Sequence, residues 1–281
     1  MVLGVRLFDS THVASELNGS EVISHCARPY TSLLHHRRAA RAATRTHRAA
    51  SPRPGATLRR DMRLQRVGHT FILYTYEKVK NVPKGTIIKD ANTIIKKKNL
   101  FDFKSSFLPF SDIFRYTMLY KNGGYWVDLD MIALKPLDFK EPYVFSAERT
   151  IQKGPYRNRT KKEVPHIGIL KAPKHSEFYK ELSELCLSQI DKVKETIQFM
   201  RILRTLLDKY GYHKYVKKAK LFCPLDWWHT KDAFYVTDTF KEKYGVKGYT
   251  ISSVLKNAYT VHMWRHLMYN RHKIDVTKTY D

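Results

Sequence analysis

The sequence predicts an α/β fold from Val67 onward, and three observations predict it. Short apolar runs recur between turn residues, as strands require. Two longer stretches place apolar residues at helical spacing. The two kinds of segment alternate along the chain, and no internal repeat organises them.

The elements follow in order. Residues 71–76, Phe-Ile-Leu-Tyr-Thr-Tyr, read as a strand, Val82-Pro83-Lys84-Gly85 as a turn and residues 86–88 as a second strand. Ser111 is a candidate N-cap for a helix over 111–120, which Gly123 would stop. Residues 125–130, 143–146, 166–170, 220–223 and 259–263 are strand-like. Helices are expected over 176–190, where Phe178, Leu182 and Leu185 share a face, and over 195–210, with Phe199, Ile202, Leu206 and Tyr210. In such folds ligands sit at the carboxyl ends of the strands.

A seam lies near residue 66. Residues 1–66 hold 12 Arg and no Lys, whereas residues 67–281 hold 8 Arg and 31 Lys. The first part carries the low-complexity run His35-His36-Arg37-Arg38-Ala39-Ala40-Arg41-Ala42-Ala43, then Ser51-Pro52-Arg53-Pro54-Gly55. Residues 1–66 therefore read as a basic, disordered extension. It serves as a targeting peptide, as a basic arm for nucleic acid, or is foreign to the domain at 67–281; the abrupt switch from Arg to Lys fits the last best. The opening run of apolar residues is too short for a secretory signal, and no strand is expected before Gly68.

Composition bounds the function. The 43% hydrophobic share and 13% aromatic content are those of a globular chain, and no stretch reaches the roughly 20 apolar residues of a membrane span. A cytoplasmic or peripheral membrane location is expected. The formal charge of +25 invites anionic partners. Cys26, Cys186 and Cys223 form neither a disulfide framework nor a zinc pattern.

Chemistry concentrates between Ser111 and Asp130. On a helix Asp112 and Arg115 share one face near the positive end of the dipole, where a carboxylate and a guanidinium can hold sugar hydroxyls. Gly123-Gly124 lets the chain reverse close to a ligand. In an extended strand, Tyr125-Trp126-Val127-Asp128-Leu129-Asp130, the two aspartates point to one side and present hard oxygen donors suited to Mn²⁺ or Mg²⁺. Taken singly, an Asp-X-Asp pair and an exposed Asp–Arg pair are ordinary surface features.

The ordered string is less ordinary. Ser111-Asp112-Ile113-Phe114-Arg115-Tyr116, then Leu119-Tyr120, Gly123-Gly124, Tyr125-Trp126 and Asp128-Leu129-Asp130 resemble the sugar-binding region of Asp-X-Asp glycosyltransferases. That family includes yeast initiating mannosyltransferases, α-1,4-glycosyltransferases and clostridial toxin glycosyltransferase domains. Gly68-His69-Thr70-Phe71, Val82-Pro83, Phe222-Cys223-Pro224 and Val261-His262-Met263-Trp264 extend the resemblance over most of 67–281.

The resemblance implies a GT-A-type, Rossmann-like mixed sheet flanked by helices. It further implies metal-dependent hexose transfer, usually with retention, from a nucleotide-sugar donor to a glycan or lipid-linked acceptor, as in polysaccharide biosynthesis. By motif position Asp112, Arg115 and Asp128 would contact the donor sugar, and Asp130 and Asp128 would hold the metal. His262 is either a further metal or diphosphate contact or a structural histidine beside Trp264, and Trp227 and Trp228 either stack on the base or an acceptor sugar or, for at least one of them, pack in the core. The chain departs from the family in lacking a first strand before Gly68, which makes an inactive or truncated relative one alternative. A basic nucleic-acid-binding protein is the other, although no nucleic-acid motif is present.

Overall fold

The computed structural model describes residues 2–9, 67–80, 82–151, 161–228 and 254–272. Its frame is a six-stranded mixed sheet in the order β3-β2-β1-β4-β7-β6. The strands are β1 (Val2–Asp9), β2 (His69–Thr75), β3 (Ile87–Asp90), β4 (Gly124–Val127), β6 (Val144–Ile151) and β7 (Lys161–Ala172). A separate two-stranded ladder joins β5 (Met131–Ala133) to β8 (Thr260–His262). The helices are α1 (Leu108–Asn122), α2 (Glu177–Leu187), α3 (Gln198–Tyr210), the single turn α4 (Ala219–Phe222) and α5 (Arg265–His272). The α/β class expected from the sequence is thus the class observed.

Period-two alternation gives the sheet two apolar faces. Ile72, Tyr74, Trp126, Phe145 and Leu170 face one core, which α1, α2 and α3 cover with Phe114, Leu182 and Leu203. Phe71, Leu73, Tyr125, Val127 and Ile169 face the other, closed by Leu129, Met131, Phe222 and Trp264. Helix α1 is buried from Pro109 to Leu119, so it forms part of the interior rather than a surface stripe. Burying one such aromatic fully contributes about 2–3 kcal/mol.

Three local readings change. Helix α1 starts at Leu108 with Pro109 in its first turn, a position where the missing N–H costs nothing. Ser111 is therefore inside the helix and buried. Gly123 ends it as expected, at φ 66°, and a Cβ there would lie 2.4 Å from the Lys174 backbone nitrogen. Residues 219–222 form a helical turn where a strand was expected; a four-residue apolar run carries no period long enough to separate the two.

The third change concerns the first strand. Val2–Asp9 pairs antiparallel with β2 on one side and with β4 on the other. The slot that the sequence reading left empty is filled by the opening residues of the chain. Residues 10–66, which hold the low-complexity run and Cys26, lie outside the described residues.

Candidate functional site

The site grows from the end of β4. The strand stops at Val127, and the backbone N–H of Met131 donates to the Asp128 carbonyl at 2.9 Å. Asp128, Leu129 and Asp130 therefore occupy a tight turn, not the extended strand expected from the sequence. The turn still gathers the carboxylates, because Leu129 is drawn down into the second core. Immediately afterwards β5 pairs with β8 so that Met131 faces His262. That register sets His262 Nε2 3.1 Å from Asp130 Oδ1. The remaining Asp130 oxygen accepts the backbone N–H of Arg265 at 3.0 Å, at the start of α5.

Helix α1 supplies the second wall. Asp112 and Arg115 are only 3% and 1% exposed. One Arg115 nitrogen lies 3.5 Å from Asp112 and 3.3 Å from Asp128, so a single guanidinium bridges the helix and the turn. Its other terminal nitrogen donates to the Ile167 carbonyl at 2.9 Å, and its plane lies 4.8 Å from the Trp126 ring. Trp126 Nε1 donates to Asp128 Oδ1 at 2.8 Å. These contacts fix the Asp128 carboxylate from behind; its side chain is 14% exposed and that of Asp130 21%.

A break in the β6–β7 ladder completes the frame. Register passes from Phe145 opposite Leu170 to Ser146 opposite His166, which leaves residues 167–169 as a bulge on β7. The bulge frees backbone groups for the site. The Ile167 carbonyl takes Arg115, and the Gly168 carbonyl takes the Asp128 N–H at 2.8 Å. The Gly168 N–H donates to His166 Nδ1 at 3.0 Å. Ser146 Oγ closes the gap, donating to the His166 carbonyl and accepting from the Ile169 N–H.

Electrostatics follow from burial and pairing. Burial pushes the Asp112 carboxyl up to about 7, although Arg115 beside it pulls the other way. Asp128 is also raised by burial, with Arg115 opposing. Burial would raise Asp130 too, but the charge and hydrogen bond of His262 and the Arg265 N–H outweigh it and hold the carboxyl well below the usual range. His262 is correspondingly raised by Asp130 against the effect of its own burial. Burial, with the charges of His262 and Arg115, keeps His166 neutral.

Two groups of side chains converge closely enough to hold a metal ion: Asp128, Asp130 and His262, and the wholly buried His166, Cys223 and His262. The two share His262. In the second, His166 Nδ1 already accepts the Gly168 N–H. In the first, two carboxylates and an imidazole with ligand atoms within 4.8 Å of one another form a donor set that fits Mn²⁺ or Mg²⁺. All five residues singled out by motif position, Asp112, Arg115, Asp128, Asp130 and His262, meet in this one region. Trp227 packs against the second core, with its ring 5.1 Å from that of Trp228.

From the sequence, His166, Gly168 and Ser146 carry no site role, nor does Cys223, which enters only as part of the resemblance. His166 lies 5.1 Å from His262, ring to ring, and 5.5 Å from Trp264. The available signal was a histidine and a glycine within a run that otherwise reads as strand.

Comparison with known proteins bears out the resemblance over part of the chain. Residues 59–150 match the family of the glycosyltransferase sugar-binding region containing the DXD motif. The match includes Asp112, Arg115, Asp128 and Asp130, and it begins ahead of the compositional seam. No curated protein matches the chain. Among solved structures, the PaToxG glycosyltransferase overlaps with a TM-score of 0.31 at 13% identity, over 63% of this chain and 67% of that one. A CTP:phosphocholine cytidylyltransferase from Streptococcus pneumoniae overlaps with a TM-score of 0.25 at 8% identity, over 47% and 58%.

Proposed function

We propose that this chain is a metal-dependent glycosyltransferase that moves a hexose from a nucleotide-diphosphate sugar to a glycan or lipid-linked acceptor, with retention at the anomeric carbon. The observation that carries the reading is the convergence of Asp128, Asp130 and His262 against a buried Asp112–Arg115 pair, within and beside the segment that matches the DXD family. A surface ion pair would be exposed and solvated. Here the guanidinium is held by two carboxylates, a backbone carbonyl and an indole face, at a desolvation cost that folding alone does not explain.

The roles follow from position. Asp130, Asp128 and His262 would hold the ion, which when bound would supply Lewis-acid neutralisation of the departing diphosphate. Arg115 orients Asp128 and, with Asp112, forms the polar floor on which donor-sugar hydroxyls are bound and oriented. The bulge at 167–169 keeps that floor rigid by supplying backbone partners. In front-face attack the acceptor hydroxyl passes its proton to the leaving phosphate oxygen, so no side chain has to act as general base. A GT-A-type frame is part of this proposal.

A donor-hydrolysis screen tests it. Purified protein is incubated with UDP-, GDP- and CMP-sugars, with Mn²⁺ or with chelator. Release of one nucleotide only in the presence of metal is the expected result. Metal-dependent thermal stabilisation by a nucleotide diphosphate without turnover would identify a sugar-nucleotide-binding relative with no transferase activity. No release and no stabilisation from folded protein would end both readings.

A further inference from the structure

Beside the donor site lies a cavity of about 470 Å³ that none of the roles above uses. Strand β6 contributes Ala147 and β7 contributes residues 162–165. Helix α3 contributes Arg204 and Asp208, and the segment after it His213 and residues 216–218. The last segment is drawn alongside β6 by a bridge from Val216 to Phe145 and by the Lys217 N–H donating to the Phe145 carbonyl at 2.8 Å. The volume is that of an ordinary small-ligand pocket.

Its chemistry is two-sided. Ala147, Val164, Pro165 and Val216 make an apolar strip suited to the C–H face of a sugar ring. Lys162, Arg204, Lys217 and Lys218 line the remainder, against Glu163 and Asp208. Of the two lining acids only Glu163 forms no ion pair among the described residues, against two such cations. Asp208 is engaged by His213 at 2.5 Å. Arg204 faces Glu148, and Lys217 faces Glu141. Lys162 and Lys218 form no ion pair among the described residues, so they remain the cations open to a ligand.

The cavity also lies on the chain segment that leads into the candidate site. Arg204 Nε donates to the Pro165 carbonyl at 2.9 Å, and the next residue is His166, whose ring lies 5.1 Å from that of His262. Glu148, which faces Arg204 in the cavity wall, also feels the charge of His262, so the cavity lies near that end of the candidate site.

We infer that this cavity is the acceptor site, and that the acceptor is a sugar carrying an anionic group, a carboxylate or a phosphate, which Lys162 and Lys218 recognise. The inference rests on the transferase reading for the acceptor role; binding of the anionic sugar to the cavity can be measured separately.

The experiment uses the full chain and two readouts. Calorimetric titration with a glucuronic-acid disaccharide and with mannose 6-phosphate is compared with an uncharged methyl mannoside, for wild type, for Lys162→Glu/Lys218→Glu and for the distant control Lys98→Glu. Metal-dependent donor hydrolysis is measured on the same proteins. Wild type is expected to bind one or both charged probes, and which of the two it binds distinguishes carboxylate from phosphate recognition. The double variant should lose about tenfold or more of that affinity, as expected from removing one good charge contact. The control should bind as wild type, and all three should hydrolyse donor equally. Equal binding of the uncharged sugar, or an equal loss in the control, overturns the inference and points to the general charge of the chain. Selective charged-sugar binding without donor hydrolysis in any protein overturns the transferase reading and the acceptor role together, leaving only an anionic-sugar site.

Discussion

At the scale of residues, the site is defined by what surrounds its acids. Asp130→Asn keeps an oxygen for the Arg265 N–H but removes the charge that pairs with His262. Metal-dependent hydrolysis is expected to fall by a factor of roughly 10² or more while circular dichroism is unchanged. Full activity in that variant would remove Asp130 from the metal-ligand role. Gly168 makes a second case. A Cβ there would sit 2.8 Å from His166 Cε1 and 3.6 Å from Asp128 Oδ2. Gly168→Ala must therefore displace a buried ring next to the site, at about 1–3 kcal/mol. Activity should drop further than stability does, as read by kcat beside the melting temperature. Asp112 yields a pH prediction. Its folded-state pKa is raised from 3.8 to about 7, so folding favours the neutral acid. The penalty is absent below about pH 4, grows between 4 and 7, and is complete above 7, on the order of 4 kcal/mol. Asp112→Asn removes it and leaves Arg115 paired with Asp128. In chelator the variant and wild type should melt together near pH 4 and diverge at pH 8, with Asn the more stable; parallel curves would show that burial does not control this group.

Elements show where sequence periodicity is informative and where it fails. Strand β2 and helix α2 were legible because each carries its own signal: an unbroken apolar run in one, and in the other Ser176 as N-cap, which accepts the Tyr179 N–H. The turn at Asp128 was not. A strand and a turn both bring i and i+2 near one another over three residues, and only the hydrogen bond from Met131 separates them. The bulge at 167–169 was hidden for a similar reason, since its cause is the register of β6, remote in sequence. Strand β1 was missed because its partners lie at residues 69–75 and 125–127, far beyond any local window. Its geometry makes a prediction. Asp9 is the register partner of His69, so residues 10–68 connect two adjacent chain ends. Replacing residues 10–66 with a short Gly-containing turn should therefore leave the β1–β2 ladder in place. Val5→Pro should do the opposite. Val5 sits between Leu73 and Val127 in a strand paired on both sides, where proline removes a ladder donor and so destabilises the sheet. Chemical denaturation of both variants tests the assignment; an unchanged midpoint in Val5→Pro would mean that Val2–Asp9 is no part of the sheet.

For the whole molecule, the dominant fact is a charge of +25, and it bears on how any binding experiment is interpreted. A chain so basic attracts every polyanion, and that attraction comes from counterion release, which weakens steeply as salt rises. The built site is different. Arg115 and Asp112 are almost completely buried, and Asp128, Asp130 and His262 are mostly so; charges withdrawn from solvent are screened far less than charges on the surface. Salt therefore separates the two kinds of binding. In low salt, both duplex DNA and a nucleotide diphosphate with Mn²⁺ should raise the melting temperature. At about 0.3 M salt, where the screening length falls well below 10 Å, the DNA effect should vanish, whereas the nucleotide effect should persist and be abolished by chelator. The same salt should raise the melting temperature of the free protein by relieving repulsion among its 51 Lys and Arg residues. A DNA effect that survived 0.3 M salt while the nucleotide effect disappeared would reverse the assignment. The buried Asp–Arg–Asp arrangement would then need an explanation in folding alone, which its desolvation cost argues against.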